Sequence, residues 1–244
     1  MDAIEIFPRG LKQPEGSFRF GQDALLLAAL TARFCTRKDK VVELGCGCGA
    51  ALSGLLLLWP CAYGLGLDIG EELLKAAREN ALSLNLAGRT EFACADFTGK
   101  SRAEAIAKNA AGFDVAIANP PWQIMGRPAR TVLREQALRS PAMNIFEAFF
   151  QTAHFLLRAK GHFYLILPTR SIGELFFALE KTGFGLRFLQ PLKTSSRASI
   201  CKRIFVLCQK SAQNDPQFFA QLNVGPGNPG AEGDWMGRVF TIQQ

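Results

Sequence analysis

Residues 40–49 read KVVELGCGCG, a strand pattern from Lys40 to Leu44 that gives way to glycines at 45, 47 and 49. Glycines at alternate positions remove the Cβ atoms that would keep a ligand off the backbone. The turn feeds a helix pattern from Ala50 to Trp59, whose N-terminal amides point at the same space. The spacing is G-x-G-x-G and differs from the G-x-G-x-x-G of the dinucleotide fingerprint. Strand, glycine turn and helix in that order are the opening unit of a parallel sheet, and the rest of the chain repeats the alternation.

Before this unit, Asp23 to Phe34 has a helix pattern; after it come a strand at Ala62 to Leu67 and a helix at Glu71 to Leu86. Further strands are read at Thr90 to Cys94, Phe113 to Ala118 and His162 to Leu167, with helices at Arg102 to Asn109, Ile145 to Arg158 and Ile172 to Lys181. Lys160-Gly161 is read as the stop of the 145–158 helix. Phe184 to Gln190 and Arg203 to Gln209 close the sheet as antiparallel strands. The fold expected is α/β, a doubly wound, mostly parallel seven-stranded sheet with an antiparallel edge. Residues 1–39 form an N-terminal segment and helix, 40–210 the main domain, and 211–244 a Gly/Pro-rich appendage packed on the same domain. In that appendage NVGPGNPGAEGD is too rich in Gly and Pro for packed secondary structure, and Trp235 to Ile242 adds a short terminal strand.

With 48% hydrophobic and 20% charged residues the chain reads as globular, and 244 residues suffice for one sizeable core. The longest apolar stretch, 50–67, is broken by Gly54, Pro60, Gly64 and Gly66, which argues against a membrane span. MDAIEIFPRG carries early acids and no apolar segment before its proline, so a cytoplasmic location is expected. The seven cysteines lie in apolar contexts without the repeated two-residue spacing of a zinc site, and they read as small buried thiols with no metal. The net charge is +7, and its distribution says more than its size. Residues 181–214 hold seven basic side chains and no acidic one, and Arg127, Arg130, Arg134 and Arg139 face Glu135 alone. Two basic clusters of this kind suit a polyanion.

Asp68 closes the strand beside the glycine turn, 25 residues after Glu43. A carboxylate there can accept from both hydroxyls of a ribose. Asp96 closes the next strand, where it can accept from an adenine amino group with Phe97 against the ring. Here the sequence resembles the class I S-adenosylmethionine-dependent methyltransferases over roughly residues 40–210. The resemblance implies that Glu43, Gly45, Cys46, Gly47 and Gly49 hold the methionine part of the cofactor. It also implies that Ile69 and Asn119 line the same pocket.

The 113–118 strand ends in Asn119-Pro120-Pro121-Trp122, at the cleft where a doubly wound sheet binds ligands. Two prolines supply no donors and hold a rigid turn. The Asn119 side-chain oxygen and the Pro120 carbonyl are then two acceptors for an amine's N–H groups, and Trp122 is a flat face for the ring that carries it. The turn resembles the [N/D/S]-P-P-[Y/F/W] motif of amino-methyltransferases, which act on adenine N6, cytosine N4, guanine N2 or glutamine. Phe18-Arg19-Phe20-Gly21-Gln22-Asp23-Ala24-Leu25-Leu26-Leu27 resembles the FRFGxDALLL stretch of bacterial tRNA (valine) adenine-N6 methyltransferases, where it shapes the cofactor pocket and includes Phe20. That family's turn usually ends in Tyr where this chain has Trp122. What the resemblance implies is methylation of adenine N6 in tRNA, with Arg127, Arg130, Arg134, Lys193, Arg197 and Lys202 on the RNA phosphates; the sequence leaves the oligomeric state open, with a monomer favoured. Glutamine N5-methylation, guanine N2-methylation and a non-catalytic RNA-binding module stand as alternatives.

Overall fold

The computed structural model describes residues 7–17, 19–61, 63–97, 112–120, 145–193, 199–212 and 215–224. Helix α1 (Gln22–Ala32) precedes β1 (Lys40–Leu44), α2 (Ala50–Leu58), β2 (Tyr63–Asp68), α3 (Glu71–Ser83), β3 (Thr90–Cys94) and β4 (Phe113–Ala118). Then follow α4 (Ile145–Leu156), β5 (Leu157–Pro168), α5 (Ile172–Thr182), β6 (Phe184–Lys193), β7 (Arg203–Lys210), β8 (Gln217–Phe218) and β9 (Leu222–Asn223). The expected helix at 102–109 and strand at 235–242 lie outside the described residues.

The strands form one sheet in the order β3-β2-β1-β4-β5-β7-β6-β8, with β9 also on β6. β1 pairs in parallel with β2 and β4, β2 with β3, and β4 with β5. β7 runs antiparallel between β5 and β6. The expected antiparallel end of the sheet is therefore present, and two two-residue strands, both parallel to β6, extend it beyond seven.

β1 is flanked on both sides, so both its faces are apolar. Val41 packs with α1, α2 and α3 on one face, and Val42 packs with α4 and α5 on the other. This gives three layers with the sheet in the middle. The close approach of layers fixes some glycines: a Cβ on Gly66 in β2 would stand 2.5 Å from the Phe92 ring and 2.9 Å from the Cys46 sulfur. No helix among the described residues is long and apolar enough to cross a membrane.

Element ends differ from the pattern reading for local reasons. α3 stops at Ser83, not at Leu86, because Asn85 takes a left-handed φ of 57° and the Leu86 N–H returns to the Ala81 carbonyl. α4 ends at Leu156, and β5 starts at once. Lys210 Nζ donates to the carbonyls of His154 and Leu157, which satisfies the end of the helix, and Arg158 reaches Asp114 on β4 from within the strand. Lys160-Gly161 is thus an irregularity inside β5, with Lys160 at φ 61°, and not a helix stop. Asn223, the first residue of the Gly/Pro-rich stretch, lies in β9. Cys94 is exposed and Cys201 half-buried, so buried thiols describe only the other five cysteines.

Candidate functional site

The order β2-β1-β4-β5 reverses direction between β1 and β4, which opens a crevice outside their carboxyl ends. Leu44 pairs with Ala118 across these strands. The residues that follow, Gly45 and Asn119, therefore leave the sheet side by side at about the 4.8 Å spacing of neighbouring strands. The glycine turn and Asn119-Pro120 share one mouth.

Gly45, Gly47 and Gly49 have φ of 69°, 54° and 78°, the left-handed region that favours glycine. Their surroundings differ. A Cβ on Gly45 would meet the Phe149 ring at 3.2 Å, and one on Gly49 the Phe92 ring at 3.2 Å and Ala77 at 3.3 Å. A Cβ on Gly47 would meet nothing within 4 Å, so this residue turns the loop's bare backbone toward open space. The Leu67 carbonyl accepts from Gly45 and Cys46 N–H at 2.8 and 3.0 Å, tying the loop to the end of β2.

Two carboxylates brace this loop. Glu43 is 3% exposed, and its Oε2 accepts from the Leu52 N–H of α2 at 2.8 Å, one of the amides a helix start leaves without a partner. Burial pushes its carboxyl well above the ordinary value, the Asp68 charge adds to that, and the Leu52 N–H opposes it. Its reach toward a ligand runs through the loop and helix it fixes. Asp68 is 9% exposed and accepts from Gly47 N–H at 2.8 Å and from Gly70 N–H at 2.9 Å. Burial raises this carboxyl too, against those backbone donors. The Cys48 thiol beside it is pushed up to about 12, chiefly by burial.

Ile69 is 46% exposed at the end of β2. Asp96 is half-buried just beyond β3, in a turn held by the Ala95 N–H on the Asp68 carbonyl. Phe97 is buried with its ring T-shaped against Phe149, so its exposed edge is small. Asn119 is half-buried and Pro120 buried. Phe20 packs on the α1–α3 side of the core. Lys193 ends β6 and Lys202 precedes β7, and the pairing of Leu192 with Arg203 sets both at one edge of the same mouth. Pro121, Trp122, Arg127, Arg130, Arg134, Arg139 and Arg197 lie outside the described residues, as does Phe18. Pattern reading missed Phe149 under the glycine loop. It also missed Asn80, a polar side chain on the apolar stripe of α3 that is 1% exposed.

The sequence pattern of the methyltransferase domain family matches residues 36–197. Over 87 residues the chain is 33% identical to the release factor glutamine methyltransferase of Bradyrhizobium diazoefficiens. That match takes in 36% of this chain and spans only 27% of the relative's length. A longer match, 23% identical over 217 residues, is to the tRNA1(Val) (adenine(37)-N6)-methyltransferase of Musicola paradisiaca and covers 84% of this chain and 79% of that one. A crystal structure described as a predicted O-methyltransferase from Agrobacterium tumefaciens superposes with a TM-score of 0.68 at 23% identity, covering 90% of this chain and 95% of the other. At that identity the likeness is one of fold.

Proposed function

The chain belongs to the methyltransferase-domain family, with S-adenosylmethionine as cofactor, and from that premise we propose that it methylates an exocyclic amino group, adenine N6 of a tRNA. The residues fit the cofactor: Gly47 leaves the loop backbone bare where a Cβ would find open space, and Asp68 uses two of its roughly four acceptor positions on backbone N–H groups. The remaining lone pairs take the ribose hydroxyls, Asp96 and the exposed Ile69 the adenine, and the bare loop backbone at Gly47 lies against the methionine part. Bound there, the cofactor supplies a methyl group activated on a sulfonium.

Single-step transfer to an arylamine is slow because the nitrogen lone pair is delocalised into the ring. Asn119 Oδ1 and the Pro120 carbonyl accept the two amine N–H groups, which favours a pyramidal nitrogen and aims its lone pair at the methyl. Trp122 stacks on the base, and Pro121 keeps the turn rigid. No strong base is needed before attack, and His154 and His162, both lowered by burial, are not assigned one. The base is splayed from its loop to reach this mouth, and Lys193, Lys202 and the arginines of 127–134 and 197 hold phosphates. A cytoplasmic location goes with an RNA substrate.

The observation that carries the reading is the pairing of Leu44 with Ala118, which sets the glycine loop beside Asn119-Pro120. The choice of adenine in tRNA is supported by the FRFGQDALLL stretch, by the basic runs, and by the name of the Musicola relative, matched over most of the chain. The 33% identity to a release factor glutamine methyltransferase supports a second reading, protein glutamine N5-methylation, through the same turn. Labelled cofactor is incubated with total bacterial tRNA and, separately, with bacterial release factor. Labelled N6-methyladenosine in tRNA is the expected product, and label in protein alone decides for glutamine.

A further inference from the structure

We propose that Asn80 is a positioning residue that clasps the N-terminal strap, Lys12 to Asp23, onto the glycine loop and thereby sets how tightly the cofactor is held. The proposal rests on the cofactor site described above. Asn80 sits on the buried face of α3 and uses its amide three ways. Oδ1 accepts from Lys12 N–H at 2.8 Å, and Nδ2 donates to the Lys12 carbonyl and to the Cys48 carbonyl, each at 3.0 Å. Both polar groups of one strap residue are thus read by a single side chain. The same side chain grips the glycine loop one residue from Gly47, whose N–H is held by Asp68. Strap, loop and ribose carboxylate form one connected hydrogen-bond chain.

The other end of the strap is fixed across the mouth. Asp23 Oδ2 pairs with Arg203 Nε at 2.7 Å, and Gln22 Nε2 donates to the Val224 carbonyl at 3.1 Å. Arg203 stands opposite Pro168 at the carboxyl end of β5. Between the strap's two anchors lie the ends of β4 and β5, so the strap bridges about three strand spacings, roughly 14 Å. Asn119 ends one of those strands. A buried asparagine whose amide nitrogen donates to both of these carbonyls keeps the strap down as long as both carbonyls stay in place. A cofactor that orders the loop must then also favour the closed strap, and the reverse holds by linkage.

The test uses the full chain with Asn80→Ala, and with Lys12→Pro, which deletes the strap's N–H donor and also removes the exposed Lys12–Glu79 ion pair, a loss that Glu79→Gln measures by itself. Binding of S-adenosylhomocysteine is measured by calorimetry, strap opening by trypsin cleavage after Arg19, and folding by thermal melting. Leu86→Ala, a buried residue beyond the end of α3 that touches none of these hydrogen bonds, is the control for lost stability. Both strap variants are expected to weaken binding roughly tenfold or more, with turnover at saturating cofactor within about twofold of wild type. Cleavage at Arg19 should be faster in them and no longer suppressed by the ligand. Wild-type binding that is unchanged in both variants overturns the clasp alone, as does an equal loss of affinity in Leu86→Ala. Wild-type protein that binds no cofactor overturns the clasp and the functional reading together.

Discussion

Asn119 is asked to act at one atom, the amine nitrogen, and only once that nitrogen begins to pyramidalise. An interaction made in the transition state alone should leave binding untouched when it is removed. Asn119→Ala is expected to lower turnover by about two to three orders of magnitude, the scale of one preorganised polar contact, while calorimetry shows cofactor affinity within twofold. Wild-type turnover in that variant would remove the assignment. Glu43 makes a different prediction, through protons. Burial raises its carboxyl, so the folded chain keeps that proton to a higher pH than the unfolded chain, which releases it near about 4.3. Above that value the folded state binds more protons, and this residue lowers stability as pH rises toward its folded pKa. Glutamine keeps an oxygen for the Leu52 N–H and has no proton to lose. The melting temperature of Glu43→Gln relative to wild type should therefore climb as pH rises above about 5, and a flat or falling difference contradicts the argument. The place of Asp68 at the end of β2 was legible in the sequence from the apolar run before it. The inward grip of Glu43 on α2 was not, since residue type and spacing do not say which way a carboxylate turns.

At the scale of elements, two glycines on β2 separate packing that yields from packing that does not. A Cβ on Gly64 would meet the methyl ends of Leu56 and Leu52 at 2.9 and 3.0 Å, and these can rotate away. On Gly66 it would strike the Phe92 ring at 2.5 Å and the Cys46 sulfur at 2.9 Å, against the glycine loop itself. Urea unfolding should show Gly66→Ala losing about 1–3 kcal/mol and Gly64→Ala distinctly less; the reverse order would mean the β2–β3 face is looser than its geometry. The alternation was readable because β1, β2 and β4 are apolar runs buried on both faces and because α3 and α5 each bury a single stripe, whereas α1 and α2 are buried almost all round. Ends were read less well. Leu157 joins β5 because Lys210, far along the chain, satisfies the carbonyls that finish α4, and Asn85 stops α3 by its own backbone conformation. The two-residue strands β8 and β9 have no period to detect and exist through their pairing with β6.

For the whole molecule, the sheet divides the basic run of 181–210: Lys181 and Lys210 stand at the end away from the mouth, and Lys193 and Lys202 stand at the mouth. β7 is the one described strand that runs against its neighbours, and this reversal brings Lys202, at its start, to the same edge as Lys193, at the end of β6. Both then border the crevice that holds Asn119, two or more strand spacings away, where the flanks of a splayed base would carry their phosphates. If each lysine neutralises one phosphate of single-stranded RNA, each displaces about 0.7 of a condensed counterion on binding. Lys193→Ala and Lys202→Ala should each weaken tRNA binding and reduce the slope of log affinity against log salt by about 0.7 to 1, and the double variant by about twice that. Cofactor affinity, which the proposed reading assigns to the loop and Asp68, should not change in any of the three. Binding that weakens with the slope intact would mean the lysines touch something other than phosphate. A slope and an affinity both unchanged in the double variant would move the RNA off this edge of the sheet altogether.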